Sequence, residues 1–186
     1  MRLAFTTEYD GSEFSGFQRQ KNAISIQQNL EEVIERITQE KKVINYAGRT
    51  DAGVHALSQV FDFTTDIKRE EKNWIDGMNS NLPDTIAVTK MFKVPDDFHS
   101  RFSAIERSYT YLVCNSRSKP LFFDNYSHWD NNNLDLDVLN QQAKMFIGKH
   151  DFTSFRSSRC SSKNPVKSIR DIEIEEPDKF IFISIH

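Results

Sequence analysis

The chain has 186 residues, 38% of them hydrophobic and 27% charged, with a formal net charge of -3. That length allows one large domain or two small ones with a real core, and the composition is ordinary for a soluble globular protein. No apolar run approaches a membrane span, no leader is expected ahead of a strand beginning at Leu3, and the two cysteines, Cys114 and Cys160, are too few and too far apart for a disulfide framework or a cysteine-built metal site, so they read as reduced cytosolic thiols.

Leu3 to Tyr9 alternates as a strand, and Asp10-Gly11-Ser12 ends it. Ser25-Ile26-Gln27-Gln28 has the form of a capping box, in which Ser25 takes a backbone N–H and Gln28 reaches back. Ile26, Leu30, Val33, Ile34 and Ile37 then share one helical face. Val43 to Tyr46 reads as a short strand and Val54 to Phe63 as a longer one. Lys68 to Met78 is a weaker helix, stopped by Asn79 to Asp84, and Ile86 to Val94 is a strand. This β-α-β-β-α-β order predicts an antiparallel sheet with helices on one face, a ferredoxin-like plan.

The order then begins again. Ser108 to Cys114 alternates as a strand, and a polar, aromatic stretch runs from Asn115 to Asn133. Leu134 to Ile147 predicts a helix ending at Gly148. Ser168 to Glu175 and Phe180 to Ile185 read as strands joined at Pro177-Asp178. The expected fold is therefore α+β, with two similar domains at 1–97 and 98–186. The second, at β-α-β-β, lacks one helix and one strand and is expected to be truncated at its C-terminal end.

Charge is unevenly spread. Seven basic residues (Lys144, Lys149, Arg156, Arg159, Lys163, Lys167 and Arg170) and one acid, Asp151, lie between 144 and 170, interleaved with Phe146, Phe152 and Phe155. Local basic surface, rather than net charge, sets phosphate affinity. The stretch reads either as a nucleic-acid contact or as a solvated loop.

The loop from Gly48 to Ala56 sets one carboxylate, Asp51, between Gly48 and Gly53 and beside Arg49. Glycines permit tight turns and close approach by a ligand. An Asp in such a place is also an ordinary Asx-type turn residue, and spacing alone favours that reading. Arg49 could pair with Asp51 or face a phosphate. His55 reads first as a packed strand residue and second as a base. No phosphate loop, metal-ligand spacing or nucleophile–histidine motif accompanies them, so any chemistry is expected to need no metal and no cofactor. A second cluster, Phe98 to Ser103 running into Arg107-Ser108-Tyr109-Thr110-Tyr111, would suit phosphate contact and base stacking, or would pack its tyrosines inward.

Gly48 to Ala56 resembles the catalytic motif of the TruA-type tRNA pseudouridine synthases. Four further segments resemble that family in the same order: Tyr9 to Gln18, Asn81 to Asp84, Phe98 to Ala104 with Arg107 to Tyr109, and Gly148 to Phe155. The resemblance runs from Leu3 to the end of the chain. It implies isomerisation of uridine to pseudouridine in the anticodon stem-loop of tRNA, without cofactor or metal. Asp51 matches the catalytic aspartate, which attacks ribose C1′ or base C6, or removes a ribose proton. Tyr109 matches the tyrosine that stacks on the flipped base. Arg49 matches the arginine that helps extrude the nucleotide, and Arg101 and Arg156 are candidates for RNA contact. The resemblance also implies a cytoplasmic homodimer with tRNA across both subunits, with neither membrane nor DNA as partner. Phe17 stands where the family usually has tryptophan. A later basic residue that pairs with the aspartate has no counterpart in this chain. A second reading is therefore an RNA-binding but inactive fragment, and a third, an unrelated hydrolase, lacks a companion motif.

Overall fold

The computed structural model describes residues 1–156 and 164–186; Arg159, Cys160 and Lys163 of the basic stretch lie outside the described residues. The chain divides into two compact units, Met1–Ile105 and Glu106–His186. Sequence places that boundary at 97/98. The segment after 97 stays with the first unit because Ser100 and Phe98 bond to its sheet.

The first unit runs β1 (Arg2–Tyr9), α1 (Ile26–Thr38), β2 (Asn45–Tyr46), β3 (Ala56–Thr64), α2 (Glu71–Asn79) and β4 (Ile86–Val94). Its sheet order is β2-β3-β1-β4, antiparallel throughout. Alternation along β1 sends Leu3, Phe5 and Tyr9 to the core, where Phe5 stacks between Phe61 and Phe63 at 5.2 and 5.5 Å. Trp74 of α2 meets both Phe5 and Phe63 edge-on. Leu30, Val33 and Ile34 bring α1 into the same core. Ser25 caps α1 by accepting the Gln28 N–H. The other half of the expected capping box does not form: the Gln28 amide donates to Glu32 one turn on.

The second unit runs β5 (Tyr109–Asn115), β6 (His128–Asp130), α3 (Leu136–Ala143), β7 (Gly148–Asp151), β8 (Val166–Ile169), β9 (Ile172–Glu175) and β10 (Phe180–Ile185). Its main sheet is ordered β6-β5-β10-β9, and β7-β8 form a separate hairpin. This corrects the expected β-α-β-β in three places, one of them β7, a strand where sequence expects only the end of the helix. The polar stretch after β5 contains β6, which pairs parallel to β5. The single strand expected over 168–175 is two strands with different partners, β8 on β7 and β9 on β10. The expected helix over 134–147 starts later, because Asp135 caps it through the Asp137 and Val138 N–H groups, and its last turn, Lys144–Phe146, is a 3-10 turn. The fold is thus mixed α/β with mainly antiparallel sheets. Among the described residues, no helix is long and apolar enough to cross a membrane.

Candidate active site

Asp51 sits in the loop between β2 and β3, and that loop is fixed from both ends. At its start, the Gln59 side chain accepts the Gly48 N–H at 3.3 Å and donates to the Gly48 carbonyl at 2.8 Å, standing in for a strand partner. In its middle, the Tyr9 hydroxyl meets Thr50 Oγ1 at 2.8 Å, and the Phe17 N–H donates to the Thr50 carbonyl at 3.0 Å. At its end, His55 Nδ1 accepts the Gly11 N–H at 3.1 Å and lies 3.1 Å from Asp10 Oδ1. His55 therefore serves to seat the loop; it precedes β3, which begins at Ala56, and so is not the packed strand residue expected from sequence.

The segment Asp10 to Phe17 forms the loop's outer wall. A Cβ on Gly11 would overlap the Val54 carbonyl. Gly16 has φ +88, and a Cβ there would lie 2.7 Å from the Thr50 oxygen. Burial pushes the Tyr9 hydroxyl above its ordinary pKa, against hydrogen bonds to Thr50 and Gln59 that pull it down. The hydroxyl thus remains a neutral partner for Thr50 through the physiological range.

Asp51 to Val54 closes as a tight turn, with the Val54 N–H on the Asp51 carbonyl at 3.2 Å and Gly53 at φ +78. The turn expected from sequence is real, but backbone alone closes it. Among the described residues of this unit, the Asp51 carboxylate takes no hydrogen bond and no ion pair, and it is exposed. An Asx-type bond does not occupy the acid, and no ion pair joins it to Arg49. Arg49 is exposed in the same loop. The Asp10 side chain carries the local Asx turn instead, accepting the Ser12 N–H at 2.9 Å.

Arg101 lies elsewhere in the first unit, on an exposed turn with its guanidinium 5.6 Å from the centre of the Phe102 ring. Tyr109 and Arg156 belong to the second unit. Tyr109 opens β5 opposite Ile185 and is 57% exposed, and Tyr111, on the same face of the strand, is 58% exposed. Neither tyrosine packs into a core. Arg156 follows the 3-10 turn Thr153–Phe155. Asp151 organises that turn: hydrogen bonds from the Thr153 hydroxyl and N–H hold its carboxyl below the usual carboxylate range.

Sequence reading misses Gln59 and the Tyr9 hydroxyl as supports of the loop. Gln59 carries a signal, since it is a polar residue on the buried side of an apolar strand. Tyr9 carries none, because its partner is Thr50, far along the chain.

A family model described as tRNA pseudouridine synthase matches residues 6–103 and 142–186. The chain is similar to a protein named tRNA pseudouridine synthase A from Shewanella sediminis (strain HAW-EB3). The two are 41% identical over 186 residues, which is all of this chain and 71% of the relative. Its similarity to the protein of the same name from Alcanivorax borkumensis is 37% over 186 residues, covering 70% of that relative. For Nitrosomonas eutropha the figures are 40% over 180 residues and 65%. The matched residues include the whole Asp51 loop and the glycine-rich wall from Gly11 to Gly16 that fixes it. The chain therefore belongs to the tRNA pseudouridine synthase family.

Proposed function

We propose that the chain converts uridine to pseudouridine in the anticodon stem-loop of tRNA, with Asp51 as the nucleophile. In that reaction the bond from base N1 to ribose C1′ breaks and a bond from C5 to C1′ forms. The C5 proton leaves to solvent and N1 gains one. A carboxylate suits such a role because it can form and release an ester at C1′, or add to C6 and leave again. The observation that carries the reading is an exposed acid, free of turn bonds, on a loop fixed at Gly48, Thr50 and His55. A preorganised acid need not be reordered when the substrate arrives.

In this reading Tyr109 stacks on the flipped base, and its exposed ring supports that role. Arg49 helps to extrude the nucleotide, and Arg101 and Arg156 contact RNA. No cofactor is needed. The active form is a cytoplasmic homodimer, and the two units are variations on one ferredoxin-like plan.

The test is tritium release from tRNA labelled at uridine C5. Wild-type chain is expected to release tritium, and Asp51→Ala is expected to release none. Release by Asp51→Ala at the wild-type rate would remove Asp51 from the mechanism. Binding of tRNA without release by the wild-type chain would leave an RNA-binding, inactive chain. Tyr109→Phe, which keeps the ring, is expected to retain binding; a loss of binding would show that the hydroxyl, rather than stacking, holds the base.

A further inference from the structure

A buried carboxyl group that the reaction above does not use holds the segment from Phe98 to Ser103. Asp62 lies on β3 and is fully buried. Alternation sends Phe61 and Phe63 to the helix-covered face of the sheet and Asp62 to the opposite face, across from Ala4. A carboxyl group shut away from water needs several donors. Asp62 Oδ1 accepts the Ser100 N–H at 2.8 Å and also the Ser100 hydroxyl. Oδ2 accepts the Asn45 amide at 3.0 Å and lies 3.7 Å from the Arg2 guanidinium. The same guanidinium donates to the Phe98 carbonyl. Strands β1, β2 and β3 thus converge on one short segment.

Ser100 is buried, but the residue pair beyond it is not. Phe102 is 75% exposed. The His99 ring stands 4.4 Å from it and the Arg101 guanidinium 5.6 Å from its centre. Aromatic rings held in the open beside a cation are how proteins present a stacking face to unpaired bases.

We propose that Asp62 is a positioning residue for RNA recognition: it docks the 98–103 turn on the sheet so that Phe102, with His99 and Arg101 against it, stacks on an unpaired nucleotide of the substrate. The inference rests on the substrate being RNA, as argued above.

The test uses the full chain and a fluorescein-labelled tRNA anticodon stem-loop, with affinity read by anisotropy. The variants are Phe102→Ala, Asp62→Leu, their double, and Asp62→Asn. Phe102→Ala is expected to weaken binding about tenfold, the scale of one lost base stack. Asp62→Leu is expected to match it, and the double variant to be no worse than either single one, since both remove one platform. Asp62→Asn keeps an acceptor for Ser100 and is expected to restore most of the affinity. Amide exchange of Asp62→Leu should speed up at Ser100 while β1 and β4 stay protected. A purely structural Asp62 would give losses that multiply in the double variant, and that result overturns the proposal. Should Asp62→Leu not fold, Ser100→Ala is the substitute, with the same non-additivity with Phe102→Ala expected. Wild-type affinity in Phe102→Ala would overturn this inference alone. A wild-type chain with no affinity for the stem-loop would overturn it together with the proposed function.

Discussion

The two units share the order of three antiparallel strands, β2-β3-β1 in one and β9-β10-β5 in the other, and differ in almost everything around them. In the first, the sheet reads β2-β3-β1-β4; in the second, β9-β10-β5-β6. The edge beside the first strand is taken by an antiparallel β4 in one unit and a short parallel β6 in the other. The first unit buries a continuous core around Phe5, Phe61, Phe63 and Trp74. Among the described residues of the second, only Val113, Cys114 and Ile181 are buried hydrophobics, while Leu121, Phe122 and Met145 are exposed. The same three-strand arrangement thus serves two ends. The first unit is packed to hold a loop still, whereas the second offers aromatic side chains outward.

The largest expected effect on this contrast is in the cores. Phe5 and Phe182 both sit on strands paired on both sides, yet Phe5 is fully buried and Phe182 is 36% exposed. Phe5→Ala is expected to cost about 3–5 kcal/mol of stability and Phe182→Ala less than about 1 kcal/mol, read by chemical denaturation. Equal costs would break the comparison.

A smaller effect is expected at the wall of the loop. Gly16→Ala puts a methyl group into contact with Thr50 at a backbone angle that L-residues avoid. The strain is about 1–3 kcal/mol, and the displaced Asp51 is expected to lose on the order of tenfold to a hundredfold in turnover with RNA affinity retained. Unchanged turnover would show that loop position is not limiting.

The smallest effect is at Tyr9. Tyr9→Phe removes one hydrogen bond to Thr50 and is expected to cost about 1 kcal/mol. Its pKa is raised in the fold, so the stability gained from the neutral hydroxyl is complete below the ordinary tyrosine value near about 10 and is lost as pH rises through the folded value. Tyr9→Phe should therefore flatten part of the alkaline decline in stability and remove, in an ultraviolet titration, one tyrosine that ionises above the ordinary value.

Local pattern is what sequence reads well. Strand β4 has the bounds expected from its alternation, and α1 starts where Ser25 caps it. Pairing across distance is what it reads poorly. Three residues from His128 to Asp130 become a strand only because β5 lies beside them, and the stretch over 168–175, read as one strand, splits because its halves find different partners. The site divides the same way. Asp51, its glycines and Arg49 are legible as a motif, and Gln59 stands out as a polar residue on the buried side of its strand, but Tyr9 and Asp62 act through partners far along the chain, and no local spacing signals them.

The central claim is that Asp51 does chemistry, and is not merely a turn residue beside bound RNA. It is tested most directly by comparing Asp51→Asn with the wild-type chain on C5-tritiated tRNA that both bind. The expected result is binding within roughly twofold of wild type and no tritium release above background. Release at the wild-type rate from Asp51→Asn would contradict it.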